Sequence, residues 1–308
     1  MSATKSAPMS DPVTQSFEVR KLTPHIGAEI IGLDISQPLE PATVQAVRDA
    51  WLDNCMLVFR GQTLDAAGQR RFVGYFGVMG KRGAALPGNR PRPEGPDYDS
   101  DAMLVSNIRE SGKPIGVLPD GEMWFHHDMS YAHEPNRASF LYSIEIPSHG
   151  GDTMFASMYA AYDNLPRRLK DRIEGRRVLQ AFDEVQDSRL DLTKIPLQDV
   201  KHQWQPMVIA HPETGRRALY VSRLMSHEVE GLSQPESDAL LEELYGYSED
   251  VGIRYTHKWR VGDLLMWDNL NSIHARTDFP REERRLMRRF SIAGDPVIPA
   301  WARANAAQ

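Results

Sequence analysis

The segment Trp124-Phe125-His126-His127-Asp128 concentrates the residue types that bind and activate metals. Side chains alternate across a strand, so on an extended backbone His126 and Asp128 project from one face and His127 from the other. One imidazole and one carboxylate on one face supply two thirds of a 2-His-1-carboxylate facial triad. That donor set suits Fe(II) and leaves coordination positions open for a chelating 2-oxo acid and for O₂. The bland reading of His-x-Asp is a hydrogen-bonded structural pair, and the motif alone does not separate the two. A second histidine is required from elsewhere. His274 follows an apolar run that ends in the polar turn Asp268-Asn269-Leu270-Asn271.

Four arginines follow His274 in Arg284-Arg285-Leu286-Met287-Arg288-Arg289-Phe290. The bland reading is a solvated basic patch. On a strand, however, Arg285, Met287 and Arg289 share a face, with the two arginines about 13 Å apart. An arginine inside a cavity needs an anion, and a dicarboxylate supplies one that can be held bidentately.

These residues need a framework. Strands are expected at Phe17 to Leu22, Ile26 to Ile35, Met56 to Phe59, Met103 to Ile108, Trp124 to Tyr131, Ala138 to Ile146, Met207 to Ala210, Leu219 to Ser222, Gly252 to Trp259, Leu264 to Trp267, Ser272 to Arg276 and Leu286 to Ala293. Helices are expected at Pro41 to Leu52, Leu64 to Phe76, Tyr159 to Glu174 with a break at Pro166, and Gln234 to Tyr245. Ser233 and Glu236 would form a capping box on the last of these. Many short strands without regular strand–helix alternation argue for a β-rich α+β core with helices packed outside.

Residues 1–15, rich in Ser, Thr, Ala and Pro, read as a disordered leader, and 16–308 as one domain. Glycines and prolines crowd residues 80–121, which suggests an active-site lid. Residues 182–205 read as a polar insertion without periodicity.

The chain has 308 residues and a formal net charge of −6, which excludes general attraction to nucleic acid or anionic membrane. No apolar run has signal-peptide or membrane-spanning length. The single cysteine, Cys55, forbids an intramolecular disulfide and fits a reducing, cytoplasmic setting. It reads as a packed, inert thiol. His25, His149, His202, His227 and His257 read as structural or surface residues, and His127 as packed on the reverse face. His133 is a further candidate to line the pocket.

The chain resembles the taurine dioxygenase and 2,4-dichlorophenoxyacetate dioxygenase (TauD/TfdA) family of Fe(II)/2-oxoglutarate enzymes over roughly Phe17 to Asp295. Leu57-Val58-Phe59-Arg60-Gly61-Gln62, Phe125-His126-His127-Asp128, Gly150-Gly151-Asp152-Thr153, Ala160-Ala161-Tyr162, His211-Pro212-Glu213-Thr214-Gly215-Arg216, Gly262 through Asn269, His274 and Arg285 through Arg289 carry the resemblance, in the family's order and spacing. It implies a double-stranded β-helix (jelly roll, cupin-like) with flanking helices. It implies that His126, Asp128 and His274 hold iron, and that Thr153 and Arg285 bind 2-oxoglutarate. Arg289 corresponds to the position that binds the substrate's anionic group in taurine-oxidising members, and Glu122 and Tyr131 complete the candidate substrate set. A homo-dimer or tetramer is expected by analogy.

Glu122 stands where a taurine-binding member has Asn, and Gly77-Val78-Met79-Gly80 lacks the histidine that helps hold the sulfonate. Both departures weigh against taurine. On a continuous strand Glu122 would share a face with His126 and Asp128, there to meet an amine or hydroxyl of the substrate or an arginine of the lid. The expected activity is hydroxylation of a small anionic substrate (a sulfonate, an aryloxyalkanoate or another carboxylate), with release of succinate and CO₂ and, next to a heteroatom, fragmentation of the product. The alternatives are a zinc-type hydrolase on the same triad, which leaves Arg285 and Thr153 unexplained and needs no O₂, and a non-catalytic binding protein on the same fold.

Overall fold

The computed structural model describes residues 16–80, 99, 101–118, 121–182 and 189–302. The expected leader, and residues 81–98, 100, 119 and 120 of the expected lid, lie outside the described residues.

Two sheets face each other. The larger has the strand order Glu18–Lys21, Ala28–Ile31, Met56–Phe59, Leu264–Asp268, Ala138–Glu145, Leu286–Ile292, Met103–Ser106. All its pairs are antiparallel except Ala28–Ile31 with Met56–Phe59. The smaller runs Arg254–His257, Thr153–Ser157, Ser272–Arg276, Met123–His126, antiparallel throughout. Strands far apart in sequence are neighbours in both sheets, as in the expected double-stranded β-helix.

Burial follows the two-residue period of a strand. Leu57, Phe59, Phe140, Leu264, Met266 and Phe290 face outward into one apolar cluster. Val58, Leu141, Leu265, Trp267 and Met287 face inward into a second. Each such side chain contributes roughly 1.5–3 kcal/mol by burial. The inward face is the one that matters for chemistry, and Arg289 shares it with Met287.

Two helices cover the outer face. Pro41–Asn54 places Thr43, Val47, Ala50, Trp51 and Asn54 on its buried side. Asp65 caps Ala66–Gly74, its Oδ1 accepting from Gly68 N at 2.6 Å. Phe72 and Phe76 of this region meet Phe140 edge-on or tilted. Proline divides the next helical stretch as expected, into Met158–Asn164 and Arg167–Ile173. The Gln234–Ser248 helix begins with Glu236 accepting from Ser233 N at 2.9 Å.

Two expectations are corrected. The stretch read as an aperiodic insertion contains the Lys201–Pro206 strand, paired with Arg177–Phe182, which also pairs with Ser226–Val229. The strand expected from Trp124 to Tyr131 is shorter. It spans Met123–His126 and gives way to a turn in which Met129 takes φ +58°, a left-handed conformation costly for a non-glycine residue. No helix among the described residues is long and apolar enough to cross a membrane.

Candidate metal centre

His274 and His126 face each other across the smaller sheet as register partners. Their ring centroids are 4.2 Å apart. Asp128 does not reach them by strand alternation, since the strand has ended. The turn after His127 swings its carboxylate back, so that Oδ1 lies 3.9 Å from Nε2 of both imidazoles. The ligand atoms of His126, Asp128 and His274 all fall within 4.8 Å of one another, and all three residues are buried.

The electrostatics prepare these groups for a cation. His126 Nδ1 stands 2.8 Å from the Trp124 carbonyl oxygen. A carbonyl can only accept, so Nδ1 carries the hydrogen and Nε2 presents a lone pair toward Asp128. Burial lowers the His126 pKa, partly opposed by Asp128. Burial, then the neighbouring His126, depress His274 further. For Asp128 burial acts upward, but Arg289, the two imidazoles and Ser139 outweigh it and keep the carboxylate ionised. Ser139 Oγ donates to Oδ2 at 2.6 Å, and Arg289 Nη1 donates to Oδ1 at 3.0 Å. Two neutral imidazoles and a carboxylate are the deprotonated donors a divalent ion needs. Metal bonds of about 2.0–2.2 Å demand only a modest approach of the three from where they stand.

A second polar set surrounds Arg285 and Thr153. Arg285 is 1% exposed, and its Nε and Nη1 have no hydrogen-bond partner. Among the described residues no carboxylate pairs with it. Burial, then Arg276, push its pKa down to about 9. A buried cation in this state calls for an anion. A cavity of about 230 Å³ opens against it, lined also by Gly151, Asp152, Lys258 and Trp259. The Gly150-Gly151 turn that leads to Thr153 has φ of +71° and +65°, and a Cβ on Gly150 would collide with the Asp278 carbonyl. Trp259 Nε1 donates to Thr153 Oγ1 at 3.0 Å. An indole can only donate, so the threonine keeps its own hydrogen for an acceptor. A buried guanidinium with free donors beside a cavity is the kind of group that accepts a carboxylate.

The candidate substrate residues are less uniform. Arg289 lies beside Asp128 on the inner face. Tyr131 is buried, its ring stacked on Phe182 at 5.4 Å in a small cluster with Leu224 and Met225. Glu122 lies outside the strand and is exposed, accepting from Trp124 Nε1 at 3.1 Å. The face shared with His126 and Asp128, expected on a continuous strand, does not form.

The histidines read as structural or surface residues behave as expected. His25, His149 and His202 are exposed. His133, the further candidate to line the pocket, is exposed as well. His227 and His257 are buried and bonded, to the Ala181 carbonyl and to Asp263 respectively. His127 is fully buried against Tyr220, its pKa pushed down to about 3 by burial. Burial pushes the Cys55 thiol up to about 12, which keeps it protonated and inert.

Sequence reasoning passed over Ser139 and Trp259, which orient Asp128 and Thr153. Neither has a motif of its own. It also passed over the buried set around Asp268, where His211, Arg137 and Asn271 converge on Oδ2. The segment His211 through Arg216 was the available signal.

A jelly roll that holds two histidines and a carboxylate at one point has the donor set of the non-haem Fe(II) oxygenases. The model of the family described as "Taurine catabolism dioxygenase TauD, TfdA family" matches residues 18–290. The chain is 31% identical over 300 residues to pentalenolactone F synthase of Streptomyces avermitilis, covering 92% of this chain and 95% of that one. It is 32% identical over 297 residues to an alpha-ketoglutarate-dependent 2,4-dichlorophenoxyacetate dioxygenase of Cupriavidus pinatubonensis, covering 92% and 100%. Among solved structures, AAD-2 in complex with Mn(II) and N-oxalylglycine superposes with a TM-score of 0.75 at 28% identity, covering 92% and 99%. The chain belongs to the TauD/TfdA family. It is an Fe(II)- and 2-oxoglutarate-dependent dioxygenase.

Proposed function

We propose that His126, Asp128 and His274 hold the iron, that Thr153 and Arg285 bind the distal carboxylate of 2-oxoglutarate, and that Arg289 receives the anionic group of a small organic substrate. The observation that carries this reading is the meeting of three ligand atoms within 4.8 Å, and a fully buried arginine with unpartnered nitrogens supports it. When bound, iron and 2-oxoglutarate supply the O₂-dependent oxidation, with succinate and CO₂ as the co-products.

The protein's own residues do the positioning. Ser139 and Arg289 hold Asp128 ionised, and the Trp124 carbonyl fixes the His126 tautomer. Thr153 and Arg285 set the distance and direction of the co-substrate. Tyr131 and Phe182 offer an aromatic wall for the body of the substrate, while the Trp124–Glu122 pair stands at its rim. Relatives named for phenoxypropionate, 2,4-dichlorophenoxyacetate and sulfate esters all act on anionic compounds, which supports Arg289 as the anion contact. Hydroxylation next to an ether or ester oxygen would give a product that fragments. The setting is proposed to be cytoplasmic, where a lone buried thiol and a ferrous ion stay reduced.

The test is succinate formation from 2-oxoglutarate by the purified protein, across a panel of aryloxyalkanoates, alkyl sulfates and sulfonates. The expected result is turnover that requires Fe(II) and O₂ and is stimulated by at least one anionic compound. Turnover without O₂, or none with any compound, would refute the reading.

A further inference from the structure

We propose that Met103 is a positioning residue for substrate recognition: its thioether sulfur holds one nitrogen of the Arg289 guanidinium through a weak bond, aims the group into the site, and gives that nitrogen up to the anionic group of the substrate. This inference rests on Arg289 as the anion contact and adds the residue that keeps this arginine ready.

The register places Met103. In the larger sheet the Leu286–Ile292 and Met103–Ser106 strands are antiparallel neighbours, with Arg289 opposite Met103 and Met287 opposite Val105. Paired residues of such a ladder project to the same side, with Cβ atoms roughly 4.5–5.5 Å apart. Met287 belongs to the inner apolar cluster and Val105 packs against it, so two residues along each strand Arg289 and Met103 also face inward. Arg289 Nη2 donates to Met103 Sδ at 3.2 Å, while Nη1 donates to Asp128 Oδ1 at 3.0 Å. The pair is braced from outside. Arg70 donates to Asp99 and Asp101, just ahead of the Met103 strand, at 2.7 Å and 2.8 Å. Its guanidinium carbon lies 5.6 Å from the centre of the ring of Phe290, the residue after Arg289.

The type of acceptor decides what this contact can do. A thioether sulfur accepts weakly and carries no charge, so it orients the guanidinium without neutralising it. A charge-assisted bond to a carboxylate is roughly twice as strong as a neutral one, and arginine grips such a group through two nitrogens. A substrate anion therefore displaces the sulfur from Nη2. The unbranched methionine side chain has the freedom to withdraw. A carboxylate at position 103 would instead pair with Arg289 and compete with the substrate, and an aliphatic residue would leave Nη2 unsupported. The Arg289 side chain is 21% exposed, within reach of an anion from solvent, and Asp128 is its acidic partner among the described residues. Met103 is half-buried.

Calorimetric titration of the protein loaded with Mn(II) and 2-oxoglutarate tests this without turnover. The anionic probe is 2,4-dichlorophenoxyacetate, and 2,4-dichlorophenoxyethanol is its uncharged analogue. In Met103→Leu, which keeps the volume and removes the acceptor, the Kd for the acetate should rise about 3- to 10-fold, while that for the alcohol moves by less than about twofold. Met103→Gln, whose amide oxygen can accept from Nη2, should recover most of the affinity for the acetate. Met103→Glu should weaken the acetate by more than about tenfold and leave the alcohol unchanged. In an Arg289→Gln background Met103→Leu should have no further effect on the acetate, because the two residues act as one unit. Equal changes for both probes, no change, no recovery in Met103→Gln, or a full effect of Met103→Leu in the Arg289→Gln background would overturn the role of Met103. A wild-type protein that binds the acetate no better than the alcohol would overturn Arg289 as the anion contact, and the role of Met103 with it.

Discussion

Arg289 Nη1 donates at 3.0 Å to Asp128 Oδ1, the same oxygen that stands 3.9 Å from Nε2 of both His126 and His274. The other oxygen, Oδ2, is taken by Ser139. A metal ion and the Arg289 guanidinium must therefore use one oxygen. Opposed charges about 4 Å apart interact by several kcal/mol even at an effective dielectric constant near 20. A divalent ion bound there would weaken the hold of Arg289 on Asp128, and the proposed role of Arg289 is to turn the freed guanidinium to a substrate anion. Arg289→Gln should keep Mn(II) affinity or raise it, while KM for the anionic substrate rises about 10- to 100-fold. Metal titration and steady-state kinetics check this. A tenfold loss of Mn(II) affinity would show instead that Arg289 is needed to hold Asp128 in place.

Removing a metal ligand has a different signature. His126→Ala or His274→Ala should abolish turnover and weaken Mn(II) binding by more than about 100-fold. The fold should survive, with a lower Tm for His274→Ala, whose ring packs against Phe155 and Trp267 of the inner apolar cluster. Equilibrium metal titration beside a thermal melt separates the two effects. Retained turnover in His126→Ala would refute the ligand assignment.

Arg285 carries a prediction about stability with an unusual sign. It is a buried cation with no carboxylate partner among the described residues, and its pKa is pushed down to about 9, first by burial. Its native value lies below the unfolded one, so the protonated form opposes folding throughout the neutral range. Arg285→Met should therefore stabilise the protein without co-substrate by roughly 1–3 kcal/mol. The same change should remove the stabilisation that 2-oxoglutarate gives the Mn(II)-loaded wild type. Thermal melts with and without 2-oxoglutarate read both effects, and a lower Tm of the variant without co-substrate would count against the account.

Much of this site was legible because its spacing is rigid. The Ser272 to Arg276 strand and the inward face of Met287 and Arg289 follow from two-residue periodicity, but Arg285 does not share that face by alternation, because the strand begins at Leu286 and its register is irregular between Leu286 and Met287. What periodicity cannot give is what happens when a strand stops. Asp128 faces His126 through a turn carried by Met129 at φ +58°, a conformation no propensity for methionine suggests. Glu122 misses the inner face because the strand starts after it. The Lys201–Pro206 strand was hidden because its side chains are polar or half exposed and its place is set by pairing with Arg177–Phe182. Ser139 and Trp259 were illegible for a related reason: single side chains reach the site from strands whose register only the whole sheet determines.

The buried histidines set the acid limb of stability. His127 and His227 are depressed to about 3 and about 4, in each case first by burial. Between these values and the unfolded value of 6.5 the unfolded chain binds more protons than the native one, so stability falls as pH drops below about 6.5. The carboxylates Asp128 and Asp268 are lowered in the native state and lose their contribution only below about 4. Urea unfolding from pH 7.5 to 4.5 should therefore show a loss beginning near 6.5. His227→Gln, away from the metal ligands, should reduce that slope by about 1–3 kcal/mol over the range. A flat profile down to pH 5 in the wild type would contradict the burial of these rings.

Asp268 tests whether the framework and the site can be separated. It closes the Leu264–Asp268 strand without exposure, and its Oδ2 gathers Arg137, His211 and Asn271, the last two at 2.9 Å and 3.1 Å. His211 Nδ1 accepts from Thr214 N at 3.1 Å, so its Nε2 carries the hydrogen and donates to Asp268. Oδ1 accepts from Leu270 N at 2.9 Å. The carboxylate thus shapes the turn from which the His274 strand departs. Asp268→Asn would leave the mostly buried Arg137 with Glu213 as its remaining acidic partner, and should cost about 2–4 kcal/mol. Displacement of His274 should also weaken Mn(II) binding about tenfold, whereas Asp128→Asn should weaken it more at a smaller cost in stability. Paired urea unfolding and metal titration decide the matter. If Asp268→Asn matched the wild type in both, the turn would be held by backbone pairing alone and the buried charge cluster would have no part in placing His274.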